Sequence, residues 1–315
     1  MTPDRIPVID LSRDGPTVTR EAIDAACREW GFFQIVGHGI DAQLLGALRR
    51  QVRAFFALPV EAKRAVSRSE ENPWGYYDRE LTKNTRDWKE IFDFAAMSCG
   101  RSVPRWPSGL PGFKETLVDY YRACETVAAR LLRIISNNLG MAPDALDGHF
   151  ARGHSSFTRL NHYPVCANPA RPAGLTTPTE GHLGVNYHTD PGAVTLLLQD
   201  EQPGLEVFRN GRWSLVEPLR DALVINVGDI VQVWSNDQYT APLHRVVTNA
   251  SAERFSIVFF YCPSYASDYA PLASTVDARH PARYRGINWG HFYAMRTKGD
   301  YADHGEEIQI SQFRT

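Results

Sequence analysis

From about Ser155 onward the chain breaks into short runs rich in β-branched and aromatic residues, and no other feature restricts its fold as strongly. The runs cover 157–163, 185–188, 194–199, 205–208, 212–216, 222–226, 243–247 and 254–261. Asn210-Gly211 separates two of them. That dipeptide suits the two-residue type I′ turn, whose central positions both need positive φ. Short strands at regular spacing predict a sandwich or barrel, and eight of them fit a jelly roll. In that architecture a metal or ligand site sits in the mouth between two sheets.

The chain before this region has a mixed texture. Residues 7–11 and 32–36 read as strands, while Ile23, Ala26, Cys27 and Trp30 follow helical spacing up to Gly31. Asp41 is placed to cap a helix carrying Leu44, Leu45, Leu48 and Val52 on one stripe. The longest helix is expected between Phe113 and Leu139, where apolar residues recur every three or four positions until Gly140 stops them. The expected organisation is a mixed, helical N-terminal region (1–150), a jelly-roll core (151–268) and a C-terminal segment (269–315) covering the barrel. The fold class is therefore mostly β with flanking helices.

Within the β region, His188-Thr189-Asp190 places an imidazole and a carboxylate two residues apart. On an extended strand such residues share a face. With His244 they make two histidines and one carboxylate, the donor set of a facial triad for non-haem Fe(II), which leaves coordination positions open. Ten residues past His244, Arg254-Phe255-Ser256 repeats the i, i+2 form. A guanidinium fork beside a hydroxyl can hold the far carboxylate of a small diacid. On a strand otherwise made of Phe255, Ile257, Val258, Phe259 and Phe260, a lone cation is costly unless an anion meets it. His182 is the main competitor as a ligand, but Gly184 occupies the place of its carboxylate. His38, His149, His154, His162, His280, His291 and His304 are expected to be structural or exposed. Asp229 is expected to be a turn carboxylate, and Trp213 and Trp234 to be core.

Composition narrows the partners. With 43% apolar and 22% charged residues among 315, the chain is an ordinary globular one. A net charge of −2 gives no footprint for nucleic acid or for an anionic membrane. No apolar run is long enough to span a bilayer, and the first residues lack the pattern of a signal peptide. Cys27, Cys99, Cys124, Cys166 and Cys262 are scattered, which fits free thiols in a reducing cytoplasm better than disulfides or a thiolate zinc site. The expected partner is a small molecule, with no obligate protein partner.

The chain resembles the iron- and 2-oxoglutarate-dependent oxygenases of the isopenicillin N synthase-like family. The resemblance rests on Ile6-Pro7-Val8-Ile9-Asp10-Leu11, Trp30-Gly31-Phe32-Phe33, Asn161-His162-Tyr163-Pro164, His188-Thr189-Asp190, Asn226-Val227-Gly228-Asp229, His244-Arg245-Val246 and Arg254-Phe255-Ser256. It implies Fe(II) held by His188, Asp190 and His244, with 2-oxoglutarate and O2 as cosubstrates. It further implies that Arg254 and Ser256 hold the distal carboxylate of 2-oxoglutarate, that Tyr163 adds a hydroxyl there, and that Asn161 lies near the keto-acid end. Phe260 shares the strand face of Arg254 and Ser256 and is expected against the substrate. The implied reaction oxidises a small molecule by hydroxylation, desaturation or cyclisation, with release of succinate and CO2. The alternative is a same-fold Fe(II) oxidase that takes no 2-oxoglutarate, like isopenicillin N synthase or aminocyclopropane carboxylate oxidase. Residues 169–184, rich in Pro, Gly and Thr, are expected to shape the rim of the site.

Overall fold

The computed structural model describes residues 5–12, 15–69, 71–96, 102–151, 153–300, 305 and 308–315. Cys99 and His304 lie outside them. Chain order begins with β1 (Val8–Asp10), α1 (Pro16–Glu29), β2 (Phe32–Val36), α2 (Ala42–Phe56) and α3 (Val60–Arg64). Four short strands follow: β3 (Gly75–Tyr77), β4 (Leu81–Thr82), β5 (Thr85–Arg86) and β6 (Glu90–Phe94). The long helix α4 (Phe113–Asn138) leads to the eight strands expected from the sequence. These are β7 (Phe157–Tyr163), β8 (Leu183–His188), β9 (Val194–Gln199), β10 (Leu205–Arg209), β11 (Arg212–Leu215), β12 (Leu223–Val227), β13 (His244–Val247) and β14 (Arg254–Tyr261). Helix α5 (Asp229–Trp234) interrupts them, and α6 (Trp289–Arg296) lies in the C-terminal segment.

The larger sheet has the order β1-β2-β12-β9-β14-β7-β6-β3, and the smaller runs β11-β10-β13-β8. Together they form the jelly roll. Its four central strands β12, β9, β14 and β7 come from the region past residue 150, and strands from the first hundred residues extend the same sheet on both edges. Asn210 and Gly211, at φ 50° and 79°, turn β10 into β11 as a type I′ pair should.

Alternation divides the large sheet into two faces. Leu196, Leu198, Leu223, Ile225, Phe255, Ile257 and Phe259 belong to the main core with α1, α2 and α4. In α4 the buried stripe includes Phe113, Leu117, Tyr120, Cys124, Leu131 and Ile135. Gly140, at φ +80°, follows that helix in the left-handed conformation that closes helices. Asp41 caps α2 by accepting the Gln43 N–H at 2.8 Å. The opposite face of the sheet packs Val224, Leu197 and Tyr163 against Val185, Leu205, Val207 and Val246 from the other sheet side. This smaller core is the barrel interior.

Register lines the interior up in rungs. Asn226 pairs with Thr195, Thr195 with Phe260, and Phe260 with Phe157. The next rung is Val224, Leu197, Val258 and Arg159. Deeper come Gln199, Ser256 and Asn161, and then Arg254 opposite Tyr163. Two expectations change. Trp213 is half-buried beneath the Arg245 guanidinium, not in the core, whereas Trp234 is buried. Asp229 is not a turn residue: it opens α5 with its carboxyl buried.

Candidate active site

His188 ends β8 and His244 begins β13, and the two are direct cross-strand partners. Their ring centroids lie 4.3 Å apart. Asp190 does not share a strand with His188, as the i, i+2 spacing suggested. It lies in the turn just past the end of β8. That turn is clamped from behind, because the Asp229 N–H donates to the Asp190 carbonyl at 2.8 Å. Gly228 permits the approach: a Cβ there would stand 2.2 Å from the Gly192 carbonyl oxygen. Asp190 Oδ1 is consequently 3.6 Å from both His188 Nε2 and His244 Nε2.

The remaining polar atoms are committed elsewhere. His188 Nδ1–H donates to the Asn186 carbonyl at 2.9 Å and His244 Nδ1–H to the Pro242 carbonyl at 3.1 Å. A carbonyl oxygen can only accept, so each ring carries a proton on Nδ1 and turns Nε2 toward the site. Asp190 Oδ2 accepts from Thr195 Oγ1 at 2.5 Å and from Asn226 Nδ2 at 2.8 Å, which leaves Oδ1 for the site. Burial alone would raise the Asp190 carboxyl, but His244, His188 and the Asn226 amide hold it well below the usual carboxylate range. Burial, with His188 alongside, pulls His244 down to about 4, so it is neutral at ordinary pH. Two imidazole nitrogens and one carboxylate oxygen, all within 4.8 Å of one another, fit a divalent transition metal with open positions. Among the described residues no other His, Cys, Asp and Glu cluster has this spacing.

Thr195 and Asn226 set the orientation of the Asp190 carboxylate. Asn226→Ala is expected to weaken Fe(II) binding by about 10- to 100-fold, the usual effect of losing such a support. An Fe(II) titration of the variant checks this, and wild-type affinity would remove Asn226 from that role.

Arg254 lies deeper and is 2% exposed. Its Nε donates to the Gln202 carbonyl and Nη2 to Gln199 Oε1, both at 3.2 Å, and its guanidinium lies 5.1 Å from the Tyr163 ring centroid. Nη1 is buried with no hydrogen-bond partner among the described residues. Asp200 is within electrostatic reach, yet it accepts from the Phe255 and Gln202 N–H groups and from no atom of Arg254. An orphaned guanidinium donor fits an anion that the protein itself does not supply. Ser256 and Asn161 meet beside it, with Asn161 Nδ2 donating to Ser256 Oγ at 3.4 Å. Gly184 lets Tyr163 into place, since a Cβ there would come within 2.7 Å of the ring.

A cavity of about 70 Å³ touches His188, Asp190, His244, Asn161, Tyr163 and Phe260. An outer one of about 200 Å³ shares His188, Asp190 and Phe260 and reaches Trp74, Phe157 and Tyr293. Phe260 therefore lines both. The 169–184 segment lines neither. It packs outside the smaller sheet, where Gly174 accepts from the Trp213 indole and Pro172 from Arg245. His182 stacks on Trp88 at 4.6 Å and is no ligand.

Residues 154–263 match the model of the 2OG-Fe(II) oxygenase superfamily. Residues 6–109 match that of the non-haem dioxygenase in morphine synthesis N-terminal family. Jasmonate-induced oxygenase 1 of Arabidopsis thaliana is 33% identical, over 97% of this chain and 76% of its own length. The chain belongs to the 2OG-Fe(II) oxygenase superfamily. Flavanone 3-dioxygenase 2 of Oryza sativa subsp. japonica is 34% identical, over 92% of this chain and 82% of its own. The crystal structure of JOX2 in complex with 2OG, Fe, and JA superposes at a TM-score of 0.85 with 32% identity, covering 99% of this chain and 89% of that one. The oxygenase is thus a 2-oxoglutarate-dependent dioxygenase that uses Fe(II), and the oxidase that dispenses with 2-oxoglutarate is disfavoured. No helix among the described residues is long and apolar enough to cross a membrane.

Sequence reasoning missed Thr195 and Asn226 as supports, although Asn226 stands in a quoted motif. It also missed the cavity residues Trp74, Lys89, Phe157, Arg159, Tyr293 and Arg296. Arg159 had a signal, because it alternates with Asn161 and Tyr163 on one strand.

Proposed function

We propose that His188, Asp190 and His244 hold the iron, that Arg254 and Ser256 hold the distal carboxylate of 2-oxoglutarate with help from Tyr163 and Asn161, and that Phe260 lies against the substrate. The carrying observation is the division of labour at Asp190, with Oδ2 bonded twice inside the protein and Oδ1 facing two Nε2 atoms. Bound Fe(II), 2-oxoglutarate and O2 supply the oxidising power, with release of succinate and CO2. The chain's residues orient and enclose. Asn226 and Thr195 fix the ligand carboxylate, Arg254 sets the direction of the diacid, and the aromatic rung keeps water from the reacting carbon.

The substrate is a small molecule that is hydroxylated, desaturated or cyclised. The cavity of about 200 Å³ supports this, as does a solved relative that holds JA beside 2OG and Fe. In this reading residues 1–150 brace the core, 151–268 carry the chemistry and 269–315 cover the cavity. No nucleic acid, membrane or obligate protein partner belongs to it, and the buried free thiols Cys27, Cys124, Cys166 and Cys262 suit the cytoplasm. Adding 2-oxoglutarate to the anaerobic Fe(II) protein is expected to produce a weak visible charge-transfer band. A featureless spectrum at saturating 2-oxoglutarate would overturn the assignment.

Phe260 occupies the rung of Thr195, one strand away, and stacks on Phe157 at 4.7 Å. Phe260→Leu keeps much of the volume but removes the ring. It is expected to raise the substrate KM several-fold, of the order of a lost aromatic contact of about 1 kcal/mol, or to uncouple 2-oxoglutarate decarboxylation from product formation. Metal and cosubstrate affinities should stay unchanged. Full coupling and wild-type substrate kinetics, with only thermal stability lowered, would return Phe260 to a packing role.

A further inference from the structure

The wall of the outer cavity contains a buried ion network that iron and 2-oxoglutarate do not use. Arg159 grips Asp93 with Nε and Nη2, both at 2.8 Å, and reaches Glu80 with Nη1 at 2.8 Å. Arg68 bonds the same two carboxylates at 3.2 Å. Lys89 lies 2.7 Å from Glu80 and 3.1 Å from Asp87. Except for Arg159, the side chains of this network are no more than 4% exposed. Burying so many charges is expensive, and apolar packing of the same volume is often as stable or more so. The network's effect on the site is more specific than stability. It locks one guanidinium in a fixed pose.

Arg159 is the member that stays partly open, 15% exposed, and it lines both cavities. It shares the interior face of β7 with Asn161 and Tyr163, but one rung nearer the mouth than Asn161. Its partner Val258 lies four residues along β14 from Arg254, about 13 Å on an extended strand. The two interior arginines thus serve opposite ends of the site. The rung above Arg159 is aromatic, with Phe157 and Phe260, and Trp74 continues it at 6.1 Å from Phe157. Arg296, the last residue of α6, brings a second guanidinium to the outer cavity from the C-terminal segment.

We propose that the substrate is an organic acid with a single carboxylate, held by Arg159 and Arg296, whose apolar or aromatic body lies against Phe157, Phe260 and Trp74. A fixed guanidinium recognises a carboxylate with geometric specificity. The wall carries little spare positive charge, which disfavours a dianion. Glu80, Asp93 and Asp87 already answer Arg68, Lys89 and Arg159, and Asp229 lies behind the wall within electrostatic reach of Arg296. A dianionic phosphate would exceed what this wall can balance, and a neutral substrate would leave the locked guanidinium facing apolar carbon. The inference rests on the cavity being the substrate site of the iron reaction proposed above.

The test is calorimetric binding to anaerobic protein loaded with Fe(II) and 2-oxoglutarate. The probes are phenylacetate, phenylpropanoate, phenylbutyrate and phenylphosphate, together with the methyl ester and primary amide of each acid. Charge-assisted hydrogen bonds lead us to expect at least one acid to bind about 10- to 100-fold tighter than its ester. In Arg296→Gln, and in Arg159→Lys, which keeps the charge the network needs, that ratio is expected to fall to within a few-fold. The 2-oxoglutarate charge-transfer band should persist in both variants. Equal binding of acids, esters and amides overturns the proposal, as does tighter binding of phenylphosphate or failure of every acid to bind. So does an acid preference that survives both substitutions. Absence of the charge-transfer band in the wild-type protein is a separate result, and it strikes at the proposed iron and 2-oxoglutarate site itself.

Discussion

Asp190→Ala is expected to abolish turnover and to lower Fe(II) affinity by more than about 100-fold. Losing a mere support of a ligand commonly costs about 10- to 100-fold, and here the ligand itself goes. The variant removes the one oxygen that stands 3.6 Å from both imidazoles. It also leaves Thr195 and Asn226 without their shared acceptor. The same result is expected for His188→Ala and His244→Ala, whose Nε2 atoms face Asp190 Oδ1. The apoprotein should remain folded, because the main core between the large sheet and α1, α2 and α4 does not include these residues. Iron content at limiting Fe(II), succinate formation and the thermal midpoint without metal separate the effects. A variant that retained iron and turned over normally would remove that residue from the ligand set. Loss of the apoprotein fold would instead make the triad structural.

The jelly roll was legible because its signal is local. The bounds of β7, β9 and β14 coincide with the runs 157–163, 194–199 and 254–261, and Asn210-Gly211 turns where its chemistry requires. The clustering of His188, Asp190 and His244 was legible too, but not through the geometry first assigned to it. Strand alternation does not bring Asp190 to His188, since β8 ends at His188. The turn held by Gly228 and the Asp229 N–H does so, and such a contact between distant residues leaves no periodic trace. The strands of residues 75–94 were missed for another reason. Glu80, Asp87, Lys89 and Asp93 look like a solvated surface in sequence, and only pairing among themselves and with Arg68 and Arg159 makes them buried. Charge that is buried because it is paired cannot be told from exposed charge by composition. For the same reason the outer cavity was less legible than the cluster of His188, Asp190 and His244.

Arg254→Lys is expected to raise the 2-oxoglutarate requirement by about 10- to 100-fold while leaving iron content unchanged. The estimate follows from losing one or two charge-assisted hydrogen bonds of about 1.5–3 kcal/mol. Lysine keeps the positive charge, so a purely Coulombic anchor would tolerate it. It lacks the planar fork, and its single nitrogen cannot bond the Gln202 carbonyl and Gln199 Oε1 while also offering the donor that Nη1 now presents. The face of the cation against Tyr163 changes as well, because an ammonium does not stack as a guanidinium does. Iron should be indifferent, since Arg254 donates to none of the three ligands. The check is succinate formation against 2-oxoglutarate concentration at saturating Fe(II), with the charge-transfer band titrated in parallel. If both curves matched the wild type, the guanidinium would be a packing element of the barrel floor and the anchor would have to be sought elsewhere. If the band weakened but excess 2-oxoglutarate restored both band and turnover, Arg254 would be the carboxylate anchor, acting through its geometry more than through its charge.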